Sequence, residues 1–182
     1  MHKLLLNKYY FIDKFKKSNI DKQDKYTTII YRNYKKDHNI KDIILLRNYC
    51  RIKKIKFFLS NNIRLSIKLK LNGAYIPSFN KDLTHLNYKY EKKFILIGSA
   101  HNLKEIKIKE KQNVKKIFIS SLFKKNKNFL GLNKFKLTSR LTKNEIIALG
   151  GISKNNIKLI ELTDAVGFAG ISYFEAKKRP HR

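Results

Sequence analysis

The sequence predicts a (β/α)8 TIM barrel of the α/β class, trimmed by one or two helices. Three observations predict it: eight short apolar runs of strand length, helix-spaced segments between several of them, and glycines gathered around the last two runs. Such barrels typically need about 250 residues, with a lower end near 200. The 182 residues here therefore leave short crossovers. A doubly wound open sheet is the structural alternative. One domain, residues 1–182, is expected at this length.

The strand-like runs are 9–12, 27–31, 55–59, 74–76, 94–97, 117–119, 146–149 and 168–172, all rich in β-branched and aromatic residues. Helical spacing is clearest in 39–51, where Ile40, Ile43, Ile44 and Arg47 share a side with Leu46 and Cys50 beside it. It recurs in 62–71 through Ile63, Ile67 and Lys70, and in 102–111 through Leu103, Ile106 and Lys107. Ser153 is placed to cap a helix running to about residue 163, with Ile157 and Ile160 inward. Segments 14–25 and 120–144 are lysine-rich with weak helical signal, and little chain remains after Phe174 for a closing helix.

The formal net charge is +29, from 42 Lys+Arg against 13 Asp+Glu. Lysine accompanies Asn and Ile throughout, so the excess reads as a compositional, solvated surface ahead of a nucleic-acid footprint. Arginine-rich blocks, zinc-ligand spacing and RNA-binding aromatic signatures are all missing from the sequence, and specific nucleic-acid binding is not expected. Cys50 is the single cysteine, which excludes an internal disulfide and a cysteine metal cluster. Leu4-Leu5-Leu6 is too short for a signal core or a membrane span. A cytoplasmic protein without a membrane partner is expected.

Gly150 and Gly151 follow the seventh run directly, and Gly167 and Gly170 bracket the eighth. In (β/α)8 barrels the loops after strands seven and eight frequently build one phosphate site. Exposed backbone N–H groups in such loops suit an anion, and a Cβ there is expected to crowd a ligand more than it disturbs folding. The two glycine pairs are thus candidate phosphate-binding positions, with turn-making the plainer alternative for any one glycine.

Five strings carry a family resemblance: Asn72-Gly73-Ala74-Tyr75-Ile76, Ile97-Gly98-Ser99-Ala100-His101-Asn102, Ile117-Phe118-Ile119-Ser120-Ser121-Leu122-Phe123, Ile147-Ala148-Leu149-Gly150-Gly151-Ile152 and Gly167-Phe168-Ala169-Gly170-Ile171-Ser172. In this order and spacing, over about residues 72–175, they resemble the strand motifs of the thiamine phosphate synthase/TenI family. The resemblance implies vitamin B1 biosynthesis, a thiazole phosphate held at the glycine loops, and a pyrimidine pyrophosphate as second ligand in the synthase branch, with Mg²⁺ if synthase activity is retained. The TenI branch includes metal-independent thiazole tautomerases. A non-catalytic barrel that binds phosphate or RNA is the alternative from another class.

By position, the resemblance narrows the phosphate site to Gly150, Gly151 and Gly170, with Ser172 from the neighbouring backbone. It assigns Arg32 to an anion and His101 to proton transfer; imidazole titrates near neutral pH, which suits the task. The plainer alternatives are a solvent-facing arginine and a capping or packed histidine. Lys125 and Lys127, in the loop after the sixth run, are further candidate anion-binding residues. The family's acidic Mg²⁺ ligands fall at Asn61 and Asn80, with Asp82 close by, so no metal ligand is assigned. The lysine of the strand-two motif is replaced by Tyr34, next to Lys35. Glu175 stands near a family serine, where an inward acid would oppose a phosphate. The remaining histidines, His2, His38, His85 and His181, form no ligand spacing.

Overall fold

The computed structural model describes residues 6–34 and 40–175. Eight parallel strands close into a barrel in chain order, the last pairing back onto the first. The order is β1 (Asn7–Ile12), α1 (Lys17–Asp21), β2 (Thr27–Tyr31), α2 (Ile40–Ile52), β3 (Phe57–Ser60), α3 (Ile63–Lys68), β4 (Gly73–Ile76), β5 (Ile95–Ala100), α4 (Leu103–Lys111), β6 (Lys116–Ser120), α5 (Gly131–Ser139), β7 (Glu145–Leu149), β8 (Gly167–Gly170) and α6 (Ser172–Glu175). The β4–β5 and β7–β8 crossovers carry only 3-10 turns, Thr84–Asn87 and Ile157–Leu162. These are the two missing helices. The barrel stands and the open sheet is excluded.

Strand side chains alternate between the barrel interior and the helical layer. Tyr9, Phe11, Ile30, Phe58, Tyr75, Ile97, Phe118, Ile147 and Ala169 fill the interior. Aromatic rings dominate it, with Tyr9 and Phe118 edge to face at 4.9 Å and Phe11 and Tyr75 at 5.3 Å. The alternate residues, such as Tyr10, Ile29, Phe57 and Leu59, meet the helices. Because both strand faces are covered, the strands read as continuous apolar runs.

Three local expectations are corrected. The buried face of α2 is Ile43, Leu46 and Cys50, whereas Ile40 is half exposed; the stripe follows the 3.6-residue turn one position away from the expected side. In α4 the inward residues are Ile106 and Lys109, with Leu103 exposed. Ser153 caps no helix: its N–H donates to Asn156 Oδ1 at 2.8 Å, and Asn156 Nδ2 donates to the Gly151 carbonyl at 2.9 Å. Asn156 thereby ties down the loop after β7, a local bond that competes with helix formation.

The eighth strand ends at Gly170, and Ser172 opens the four-residue α6. Phe174 stacks on Tyr10 at 5.0 Å, and Tyr10 Oη donates to Glu175 Oε1 at 2.8 Å. Lys35, His2, His38 and His181 lie outside the described residues. Among the described residues no helix is long and apolar enough to cross a membrane.

Candidate functional site

Polar groups collect where the strands end at their carboxyl side, the face on which barrels of this class carry their sites. Strand alternation puts Arg32, Ser60, Ser99 and Ser120 two positions beyond the interior residues Ile30, Phe58, Ile97 and Phe118. Tyr75 hydrogen-bonds Ser99, and burial pushes its phenol above the ordinary value. Ser60 Oγ donates to Tyr34 Oη at 3.3 Å, and the Tyr34 ring meets Phe79 edge-on at 5.4 Å. Ser60, Tyr75 and Ser99 were given no role in the sequence-based site, and Tyr34 entered it only as a replaced lysine; two-residue alternation along each strand is the signal that could have found them.

Arg32 lies over the Phe11 ring at 4.7 Å and lines a cleft of about 390 Å³ with Asp13, Lys14, Lys16, Ile171 and Glu175. The cleft sits at the mouth of β1, β2 and β8 and mixes cations with carboxylates. Glu175 is spent on Tyr10, on the helical side of β1, so its carboxylate is held by a phenol rather than aimed into the barrel.

The loops after β6 and β7 are built against each other. Phe123 N–H and Lys124 N–H both donate to the Gly150 carbonyl, at 2.9 and 3.3 Å. Gly150 and Gly151 have φ of +100° and +75°, and an added Cβ would lie 2.4 Å from Ser121 Oγ at the first and 2.6 Å from Lys124 N at the second. The space a Cβ would need is therefore filled by the protein itself, which corrects the expectation that a ligand takes it. Gly170 is different, with nothing nearer than 3.9 Å to its Cβ position. Among the described residues, the N–H groups of Gly150, Gly151, Ile171 and Ser172 donate to no protein acceptor. Lys125 and Lys127 extend as exposed side chains from the β6 loop that packs on Gly150.

At the ends of β3 and β4, Asn80 Nδ2 donates to Asn61 Oδ1 at 2.7 Å. Asp82 joins them only through its backbone N–H, which donates to Asn80 Oδ1 at 2.8 Å; its carboxylate accepts instead from the N–H and the hydroxyl of Thr84. Behind Asn80 lies Lys109, fully buried, whose ammonium donates to the Pro77 and Asn80 carbonyls at 2.8 Å each and to Gln112 Oε1 at 2.7 Å. Burial lowers it to about 8, against a smaller opposing effect of Glu105. Gln112 Nε2 donates in turn to the Asn80 and Asp82 carbonyls, and His85 Nε2 meets the Gln112 carbonyl at 2.9 Å. This network holds the β4 loop.

His101 directly follows β5. Its Nδ1 lies 2.9 Å from Glu105 Oε2, and its backbone N–H donates to that oxygen at 2.8 Å. Asn102 caps α4 by accepting from Glu105 N–H at 3.0 Å. The site therefore has a histidine at one edge, unsatisfied amides and lysines at another, and a neutral amide pair at a third.

Such a closed barrel, with hydroxyls, cations and a histidine at the carboxyl ends of its strands, is a (β/α)8 TIM barrel. A family model described as thiamine monophosphate synthase matches residues 19–174, and the chain belongs to that family. It is 33% identical over 130 residues to a putative thiamine-phosphate synthase 2 of Aquifex aeolicus, covering 67% of this chain and 68% of that protein. It is 24% identical over 120 residues to a thiamine-phosphate synthase of Methanococcus vannielii, covering 64% of this chain and 58% of that one. The chain thus spans less than two thirds of the length of that second relative. Among solved structures, thiamine phosphate pyrophosphorylase from Pyrococcus furiosus superposes with TM-score 0.73 at 19% identity, over 91% of this chain and 85% of that chain. KGPDC from Streptococcus mutans gives 0.61 at 11%, over 94% and 91%. These two likenesses show the fold.

The residues present do not fit the Mg²⁺ of the family's synthase branch. A hard dication is held through at least one carboxylate as a rule, and here Asn61 and Asn80 are neutral and bonded to each other. Among the described residues no group of three His, Cys, Asp or Glu side chains is placed to hold a metal.

Proposed function

We propose that this chain acts in thiamine biosynthesis, binds a thiazole phosphate between its β7 and β8 loops, and moves a proton on that ring through His101 without a metal. The carrying observation is the neutral Asn61–Asn80 pair standing where the resemblance puts acidic Mg²⁺ ligands, while the histidine at β5 is retained. Ring tautomerisation transfers one proton between two atoms, with no leaving group and no change of oxidation state. It needs no divalent cation.

Support for the phosphate end comes from the unpartnered amides of Gly150, Gly151, Ile171 and Ser172, flanked by Lys125 and Lys127. Backbone N–H groups of adjacent loops form concave anion sites. Arg32 lines the neighbouring cleft at the ends of β1, β2 and β8, which Ile171 also lines, and is suited to a second anionic group. The names of the relatives favour a second reading, the synthase reaction joining this thiazole to a pyrimidine pyrophosphate.

The test is turnover of purified protein with the unsaturated carboxylated thiazole phosphate, and separately with thiazole phosphate plus pyrimidine pyrophosphate, each with Mg²⁺ and with chelator. Metal-independent isomerisation that falls about 10²–10⁴-fold in His101→Asn, with ligand affinity nearly unchanged, is the expected result. Mg²⁺-dependent coupling would establish the synthase reading instead. Phosphate-ligand binding with neither reaction would leave a binding barrel.

A further inference from the structure

We infer that Glu105 is the positioning residue of His101: its carboxylate fixes the imidazole with the proton on Nδ1 and leaves Nε2 as the base. The inference rests on the proton-transfer reading of His101 and names the group through which that residue is prepared.

Three observations carry it. First, Glu105 Oε2 accepts twice from one residue, from the His101 backbone N–H at 2.8 Å and from the ring at Nδ1 at 2.9 Å. A carboxylate facing Nδ1 within hydrogen-bond distance selects the tautomer that carries hydrogen there, since an ionised carboxylate only accepts. Nε2 has no partner among the described residues.

Second, the carboxylate does more than close the helix. Glu105 is the third residue of α4 after the cap Asn102, the position from which a capping-box glutamate ordinarily returns to the cap residue's own N–H. Here Oε2 passes the cap and reaches one residue further back, to His101, while Oε1 is left with a long 3.4 Å contact from Asn102 Nδ2. The helix start is secured separately by Asn102 Oδ1.

Third, the pairing is selective. The chain holds 42 Lys+Arg against 13 Asp+Glu, and the carboxylates of Asp21, Asp24, Glu110, Glu145 and Asp164 pair with lysine or arginine. Among the described residues, the ion-pair partner of Glu105 is the histidine, and both side chains are only about one quarter exposed. A carboxylate that stays with an imidazole amid so many ammonium groups is held there by geometry: histidine follows β5, and four residues later the first turn of α4 returns to it.

The test is Glu105→Gln, which keeps an amide oxygen for the backbone N–H and removes the charge. Imidazole ¹⁵N shifts report which ring nitrogen carries the proton. The parent is expected to show a protonated Nδ1 and a lone-pair Nε2, and the variant a shift toward the mixture typical of free imidazole. Isomerisation of the unsaturated carboxylated thiazole phosphate is expected to fall at least tenfold in kcat, with KM within about threefold, an effect opposite to that of a lost binding contact. Circular dichroism checks that α4 persists, and Glu105→Asp is expected to recover little, since its shorter arm does not reach the ring. Unchanged ¹⁵N shifts in the glutamine variant would overturn the inference whatever the activity. A parent without turnover would overturn the proton-transfer reading alone, and the ¹⁵N comparison would still decide the positioning.

Discussion

Asn80 Nδ2 donates to Asn61 Oδ1 across 2.7 Å, closing the ends of β3 and β4 with a bond between two neutral amides. Asn61 Oδ1 is taken by this bond and Asn80 Oδ1 by the Asp82 N–H at 2.8 Å, so neither oxygen is left unpaired. Calorimetric titration of the parent with millimolar Mg²⁺ should show no saturable binding. The double variant Asn61→Asp with Asn80→Asp supplies two carboxylates at the same positions, and saturable Mg²⁺ binding should appear. Tight Mg²⁺ binding by the parent would contradict this account of the pair.

The glycines of the two loops should separate folding from binding. Gly150→Ala and Gly151→Ala force a Cβ into the Ser121–Lys124 segment at a positive φ. The left-handed backbone alone costs about 1–2 kcal/mol per residue, and the clash adds to it, so thermal unfolding should show clear destabilisation in both. Gly170→Asp meets open space. It should keep its Tm within a few degrees and lose at least tenfold in affinity for thiazole phosphate, about 1.4 kcal/mol.

Lys109 makes a pH prediction. In the unfolded chain it holds its proton to the ordinary 10.5, and in the folded chain only to about 8. Between these values the unfolded state binds more protons, so this group makes stability rise with pH across that window; below about 8 its buried charge is a constant cost. Tyr9, Tyr10 and Tyr75 are raised by burial and work in the opposite direction above 10, where the unfolded chain releases phenolic protons first. Lys109→Met leaves three carbonyl oxygens without this donor and should cost about 1–3 kcal/mol. Its Tm should also rise less between pH 8 and 10 than that of the parent.

The basic surface should behave as composition. RNA binding measured by filter retention should be weak, indifferent to sequence and largely abolished at physiological salt. Tight binding that persists at high salt and competes with inorganic phosphate would place the anionic ligand in another class.

The strands were legible because both faces are buried: β2 was read at its observed bounds, and the other seven within three residues at either end. That the barrel is trimmed was legible from its length, but not where: the lysine-rich stretches 14–25 and 120–144 carry α1 and α5, and the two missing helices lie in the β4–β5 and β7–β8 crossovers. The site was legible only in part. His101, Arg32 and the glycine loops were readable as exceptions within apolar or basic sequence. Glu105 and Lys109 were hidden because a charged residue on a helix ordinarily marks a solvated face; the first turn of α4 returns Glu105 to His101, and only the barrel sets Lys109 in its second turn against the β4 loop. Tyr75 and Ser99 were hidden within strands, where a phenol and a hydroxyl read as packing. The β7–β8 helix was over-read because Asn156 spends its side chain on the loop.

Amide NMR tests most directly the assignment of the ligand's phosphate to the β7 and β8 loops. Titration of the ¹⁵N-labelled chain with thiazole phosphate should move the Gly150, Gly151, Ile171 and Ser172 amide signals furthest, with saturation at one equivalent and the same four signals displaced by inorganic phosphate at higher concentration. Saturable binding with these four signals unmoved, and the shifts gathered instead around Arg32 or at the amino ends of the strands, would contradict it.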